Sequence, residues 1–342
     1  MTQTTQMRRE IDEIPGAVQD LLTRGGDSVR DAAHTLRARD PAFLVSVARG
    51  SSDHVATYFK YAAELVLGLP VASVGPSVVS VYHRPLRLTG SACIAISQSG
   101  KSPDIVALAR SARDAGALSI ALTNHPESDL GRACDHALCI HAGVETSVAA
   151  TKTFVTSAVA ALWLVAEWAD DAPLRAAIAN LPEALHRATK VDWGGFAPAL
   201  AGQASVFCLG RGPGYAIACE VALKFKETCQ LHAEAYSSAE VLHGPVSIIG
   251  PGFPVLALAA CDAAEPGLAQ VADDLADKGA LVFATTDKVR RAVPLPAVRT
   301  GHPLTDPLAL IVSFYGMVEA LAVARGINPD APRHLNKVTQ TV

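Results

Sequence analysis

The chain repeats itself. FLVSVARGSS at 43–52 resembles ASVFCLGRGPG at 204–214, and Arg211-Gly212 follows Arg49-Gly50 by 162 residues. GALSIALTN, starting at Gly116, returns as GALVFATTD, starting at Gly279, 163 residues later. An apolar stretch near 155–169 also returns near 308–324. Separate landmarks sharing nearly one offset point to a duplicated fold, so each half has to solve the same packing problem. At roughly 100–200 residues per domain, a chain of 342 residues has room for two such halves, each with its own core.

Within each half, short apolar runs alternate with longer amphipathic stretches. Candidate strands are Phe43–Ala48, Ala92–Ser97, Leu118–Thr123 and Ala137–His141, with an amphipathic stretch at Ser102–Ala115. That alternation predicts an α/β fold with a mainly parallel sheet. The expected organisation is a helical arm at 1–27, a first domain at 28–172, a helical linker at 173–189, a second domain at 190–326 and a polar tail at 327–342.

Composition narrows the function classes. Half the residues are hydrophobic and 18% are charged, which suits a globular protein. The net charge of −4 and the lack of a basic cluster give no footprint for nucleic acid. The N-terminal residues lack the apolar core of a secretory signal, and no run reaches the ~18 uninterrupted apolar residues of a membrane span. The apolar stretches Ala158–Ala166 and Leu308–Ala324 are expected as buried helices, the second containing Glu319. Seven cysteines, an odd number with no C-x-x-C pair, read as reduced thiols and a cytoplasmic location. Their spacing to histidines fits no metal site, so no metal is expected.

The halves differ where a strand gives way to a helix. The first half carries Ser97-Gln98-Ser99-Gly100-Lys101-Ser102 at this point, and the second carries Ala260-Cys261-Asp262-Ala263-Ala264-Glu265. In parallel α/β sheets, ligands bind beyond the carboxyl ends of strands. A helix start there offers unpaired N–H groups and the positive end of a dipole to an anion. Three hydroxyls and an amide exceed what a helix cap needs, so the first loop is the candidate phosphate site. Ser102 acting as a simple cap is the plainer reading. A second strand-to-helix loop, Arg49–Ser52, adds Ser51 and Ser52.

Two further groups carry possible chemistry. Glu220, Lys224 and Glu227 fall at i, i+4 and i+7 and share a helix face. A carboxylate beside a cation can move a proton between adjacent carbons while the cation stabilises an oxyanion. Spacing alone favours the plainer reading, a surface ion-pair ladder. His243, in a His-Gly-Pro turn, is an acid/base candidate on a loop, and Lys337 lies in the polar tail.

Read together, ARGSS (48–52), SQSGKS (97–102), SVAATKTF (147–154), LGRGPGYAIACEVALKFKE (209–227), HAEAYSSAEVLHGP (232–245) and DAPRHLNK (330–337) resemble the sugar isomerase (SIS) family. The resemblance is to the isomerase half of glucosamine-6-phosphate synthase and, most closely, to glutaminase-free glucosamine-6-phosphate deaminases. It covers the chain from about residue 25 onward. It implies two SIS domains, each a doubly wound three-layer sandwich, and chemistry without metal or cofactor. Ser52, Ser97, Gln98, Ser99 and Ser102 fall on phosphate-binding positions, and Val148 falls on a backbone position that touches the sugar. Glu227 falls on the proton-shuttling carboxylate and Lys224 on its partner lysine. His243 falls on the ring-opening histidine, which the family takes from a neighbouring subunit, so a homodimer is implied. Lys337 falls on the tail lysine used in ring opening or as an amine.

The chain departs from the family pattern at several places. An acidic loop residue is replaced by Lys101, Cys-Gly-Thr-Ser by Arg49-Gly50-Ser51-Ser52, and a lysine before the histidine by Leu242. The synthase's glutaminase domain, with its leading cysteine, has no counterpart before residue 28, where Thr2 follows Met1. These features together imply deamination of glucosamine 6-phosphate to fructose 6-phosphate and ammonia. Alternatives are a deglycase or deaminase for a related phosphosugar amine, such as a fructose–amino acid or galactosamine phosphate, and a non-catalytic phosphosugar sensor. No nucleic acid or membrane partner is expected.

Overall fold

The computed structural model describes residues 4–337. They form two compact units that are interleaved in sequence. One contains residues 16–145, 152–179 and 336–337, and the other contains 4–15, 146–151 and 180–335.

The first unit is built on a five-stranded sheet of β1 (Phe43–Val47), β2 (Val71–Ser73), β3 (Ser91–Ile96), β4 (Leu118–Thr123) and β5 (His136–Cys139). The spatial order is β2-β1-β3-β4-β5, and every pairing is parallel. β3 and β4 are buried along their whole length, and their sequences are continuous apolar runs. Below them, Val45, Val47, Cys93 and Ala95 pack with Ile105, Leu108 and Ala109 of the helix Pro103–Asp114. Helix Lys152–Trp168 is buried nearly all round, as its composition demands, and packs against helices Gly26–Arg39 and Ser51–Val66.

The second unit repeats this plan with β6 (Ser205–Gly210), β7 (His232–Ser237), β8 (Pro254–Ala257), β9 (Leu281–Ala284) and β10 (Val293–Pro294). Its order is β7-β6-β8-β9-β10, again wholly parallel, which is the first sheet strand for strand. The duplication therefore extends to topology, and each unit is an α/β sandwich with helices flanking a parallel sheet. Helix Asp306–Ala324 has the length and apolarity to cross a membrane, but 78% of that apolar window is buried. It packs on helices Pro213–Cys229 and Leu181–Ala188 of its own unit.

The repeat extends to single torsions. Gly50 ends the turn after β1 with φ 56° and ψ −133°, and Gly212 does the same after β6 with φ 55° and ψ −132°. Only glycine adopts this conformation without strain. None of the seven cysteines forms a disulfide. Burial, reinforced by nearby Asp135, pushes the Cys134 thiol up to about 12, so it stays a thiol.

Close backbone approach after β6 generates a stability prediction. A Cβ on Gly210 would lie 2.3 Å from the Gly214 carbonyl oxygen, whereas one on Gly267, inside helix Glu265–Asp277, meets nothing within 4 Å. Gly210→Ala is expected to destabilise by about 1–3 kcal/mol. Gly267→Ala is expected to stabilise by up to about 1 kcal/mol. Urea unfolding of both variants checks this, and equal midpoints would contradict it.

Candidate functional site

In a sheet ordered 2-1-3-4-5, the connections leave in opposite directions on either side of the β1/β3 boundary, and the crevice there is the usual ligand site. In the first unit the loops leaving β1 and β3 at that boundary are Arg49–Ser52 and Ser97–Ser102. Sequence reasoning chose these two loops from their composition, and the topology places them side by side.

The Ser97–Ser102 loop is tightly built. The Ser97 Oγ accepts the Gly100 amide at 3.2 Å, and the Ser99 Oγ accepts the Lys101 amide at 3.3 Å. Gly100 has φ +63°, and a Cβ there would sit 1.9 Å from the Ser128 Oγ. The main chain is thus fixed by a residue that must be glycine. Ser102 stands at the N-cap of helix Pro103–Asp114, but its side chain makes no capping bond. The simple-cap reading therefore fails. Among the described residues, the amides of Ser99 and Ser102 and the Ser102 hydroxyl have no hydrogen-bond partner. These donors lie at and just before a helix N-terminus, a setting suited to a phosphate. Ser51 and Ser52 are half-buried in the first turn of helix Ser51–Val66, after Gly50. The Arg49 guanidinium ties the two loops together by binding the buried Asp104 carboxylate at 2.6–2.8 Å. The side chain of Gln98 borders a pocket with Asn124, His141 and Glu145 in the same unit.

Lys337 also belongs to the first unit. Its ammonium lies 2.8 Å from the fully buried Glu145 carboxylate, which also takes bonds from the amide and hydroxyl of Thr153. The sequence reading missed Glu145. Its partner lies 192 positions away, and the only local sign was an acidic residue in a run of small ones, GVETSVAA.

In the second unit, Glu220, Lys224 and Glu227 project from helix Pro213–Cys229. Lys224 is fully buried, 3.1 Å from Glu220 and 2.5 Å from Glu227. Glu220 is also fully buried and accepts the Tyr315 hydroxyl at 3.3 Å, whereas the Glu227 side chain is 19% exposed. The surface-ladder reading is therefore excluded. Burial by itself would lower the Lys224 pKa, but the Glu220 and Glu227 carboxylates outweigh it and hold the pKa above the usual lysine range. The group is a permanent cation rather than a free amine. Its contribution to stability is fully present below the ordinary lysine pKa of about 10.4 and is lost only as pH rises past the higher folded value. Lys226, one residue from this face, points to solvent.

Val148 lies in the second unit, and its amide donates to the Asp330 carbonyl at 3.3 Å. His243 caps a short 3-10 turn, Glu240–Leu242, and is exposed.

The row on helix Pro213–Cys229 generates a prediction that separates its two carboxylates. Glu220→Ala leaves a buried ammonium half-compensated and is expected to cost about 3–5 kcal/mol. Glu227→Gln keeps an acceptor beside Lys224 at a partly exposed position and is expected to cost no more than about 1.5 kcal/mol. Urea denaturation checks the ranking, and a larger loss for Glu227→Gln would reverse the assignment.

Comparison with known proteins agrees with this architecture. Residues 39–167 and 199–301 match the SIS domain. The chain is 33% identical to the glutamine–fructose-6-phosphate aminotransferase (isomerizing) of Symbiobacterium thermophilum, over 97% of this chain and 58% of that protein. It spans a little over half the length of the curated relatives it matches. A crystal structure from Silicibacter pomeroyi DSS-3, assigned as a phosphosugar isomerase, superposes with a TM-score of 0.93 at 63% identity, covering 96% of this chain and all of that one. The C-terminal domain of the Francisella tularensis glucosamine-fructose-6-phosphate aminotransferase superposes with a TM-score of 0.82 at 25% identity, covering 97% of this chain and 99% of that one. With both matched segments falling on the two duplicated sheets, the chain belongs to the SIS domain family.

Proposed function

We propose that this chain is a phosphosugar aldose–ketose isomerase that takes glucosamine 6-phosphate and releases fructose 6-phosphate and ammonia. The observation that carries the reading is the buried Glu220–Lys224–Glu227 row, in which a permanent cation is held beside one carboxylate left partly exposed. A merely structural ion pair has no need of that exposed second carboxylate. The match to isomerizing aminotransferases supports an amino-sugar phosphate as substrate.

In this reading the phosphate rests on the Ser97–Ser102 loop with Ser51 and Ser52, and the Val148 backbone faces the sugar. His243 and Lys337 assist opening of the ring to the free aldehyde. Glu227 then removes the C2 proton, giving an enolamine whose C1 oxygen faces the Lys224 ammonium. Glu227 returns the proton to C1, leaving a 2-imino sugar. Water adds to C2 and the nitrogen leaves as ammonia, which balances the reaction without a second substrate.

His243 is proposed to act in a neighbouring copy within a homodimer. Its side chain is exposed, and it is flanked by Leu242 and Ile248, which are 44% and 60% exposed. Apolar side chains bracketing a polar candidate suit a surface that a second copy covers.

The direct test incubates the purified chain with glucosamine 6-phosphate and measures ammonia and fructose 6-phosphate together. Equimolar release is expected, and binding without turnover would instead favour a sensor. Glu227→Gln is expected to lower turnover by about 10²–10⁴-fold with substrate affinity little changed. The shared site has its own check. Mixing inactive Glu227→Gln with inactive His243→Ala should restore about a quarter of wild-type activity, because half the dimers are mixed and each has one intact site. No restoration would place both residues in one copy.

A further inference from the structure

We propose that the N-terminal helix Gln6–Asp12 is a clip that sets the backbone of the 146–148 segment, with Glu10 and Asp330 as positioning residues. The inference deepens the functional reading above and rests on it for the role of Val148 toward the sugar.

Helix Gln6–Asp12 is anchored firmly at its own base. Thr5 accepts the Arg8 amide and donates its hydroxyl to Glu319 at 2.8 Å. The Arg8 guanidinium binds Glu319 at 2.6–2.9 Å and the Gly316 carbonyl at 2.6 Å, fixing the helix to helix Asp306–Ala324 of the same unit. From this base the helix reaches two other segments through carboxylates.

Glu10 is fully buried. Its Oε1 accepts the Thr146 amide at 2.5 Å, the Thr146 hydroxyl at 3.1 Å and the Ser147 amide at 3.3 Å. Its Oε2 accepts the Ser147 amide at 3.3 Å and the Ser147 hydroxyl at close range. A buried carboxylate is costly unless donors surround it. Apart from the Gln6 side-chain amide at 3.3 Å, the donors come from two consecutive residues, both main chain and side chain, so satisfying Glu10 dictates the conformation of that short stretch. An apolar residue would fill the same space without fixing any torsion.

The next residue is Val148, whose amide donates to the Asp330 carbonyl. The Asp330 carboxylate in turn receives the amides of Gln6 and Met7, at 2.8 and 2.7 Å, at the start of the clip helix, where the helix dipole favours negative charge. The circuit therefore closes on itself: Glu10 holds 146–147, Val148 holds Asp330, and Asp330 holds the helix that carries Glu10. One rigid helix thereby fixes a backbone stretch and the base of the tail that leads to Lys337. Asp330 lies more than 300 positions from Thr5 and Glu10, and all three lie outside the residues assigned to chemistry above.

The experiment uses the full chain with Glu10→Ala and Glu10→Gln. Amide hydrogen exchange is followed over residues 144–150 and 328–335. Affinities are measured for inorganic phosphate and for glucosamine 6-phosphate. Exchange at Thr146–Val148 is expected to rise at least tenfold in Glu10→Ala and less in Glu10→Gln, which keeps one acceptor. Glucosamine 6-phosphate affinity is expected to fall at least tenfold while inorganic phosphate affinity stays within twofold. Unchanged exchange overturns the clip whether or not the sugar phosphate binds. Raised exchange with unchanged sugar affinity, or equal losses for both ligands, overturns the positioning role. If the wild type binds phosphate but not glucosamine 6-phosphate, the functional reading fails and the exchange arm still decides the clip. Should Glu10→Ala not fold, the half-buried Asp330→Asn is expected to give the same split between ligands at about half the size, and its absence counts equally against the proposal.

Discussion

A parallel strand can be followed by its neighbour only through a crossover, and a helix supplies it. Most of this protein follows from that constraint. Each crossover returns the chain to the same edge of the sheet, so every strand-to-helix loop collects at the carboxyl end. With the order 2-1-3-4-5, the loops after the first and third strands flank the one boundary from which the connections diverge. The glycines at 50 and 212, with matching torsions, are the local solution to this sharp exit in both halves. The long apolar helices 152–168 and 306–324 are its global counterpart, because a sheet buried on both faces needs helices that are themselves nearly buried.

Within that frame the most demanding local feature is the Lys224 ammonium. Taking an ammonium out of water costs several kcal/mol before any partner is counted. One carboxylate would neutralise it; two make the row net negative and hold the proton tightly. The chain places the pair so that Glu220 is sealed and hydrogen-bonded to Tyr315, while Glu227 keeps a fifth of its surface open. The asymmetry is one of access: both carboxylates pair with the cation, but one is sealed in the core and the other reaches the surface.

The fold was legible where the sequence signal was long or contiguous. β1, β3 and β4 are apolar runs that could be only buried strands, and the two core helices are too apolar to lie on a surface. Of the edge strands, β5 was legible as Ala137–His141, whereas β2, β7 and β10 were not. β2 has three residues and β10 two, too short for any period, and β7 carries His232, Glu234 and Ser237 because an edge tolerates polar side chains. The phosphate-loop candidates were legible as a group because they are contiguous. The burial of Lys224 was not, since i, i+4 spacing is the same on a wet face and a dry one. Glu145 with Lys337, and Glu10 with residues 146–147, are joined by tertiary structure across long stretches of chain, and no local pattern announces them.

The two halves also show how a duplicated site diverges. The loop after β8 occupies the position that the phosphate loop holds after β3, and a helix again begins beyond it. There the helix starts with Glu265, buried at 3% exposure, so the protein's own carboxylate meets the positive end of the dipole. Burial would raise its pKa, but Lys288, Thr286 and Arg299 outweigh that and hold it below the usual carboxylate range. Arg299 also binds the carbonyls of Ala259 and Thr285 at the ends of the strands, with Asp306 alongside. The second crevice is filled by an internal anion and its counter-ions. The first crevice keeps serine donors and open amides, with Lys101 and Arg49 nearby. The same backbone offers the same electrostatic need in both places: Glu265 with Lys288 and Arg299 meets it in the second half, and the buried Asp104 with Arg49 meets part of it in the first, where the Ser99 and Ser102 amides stay open.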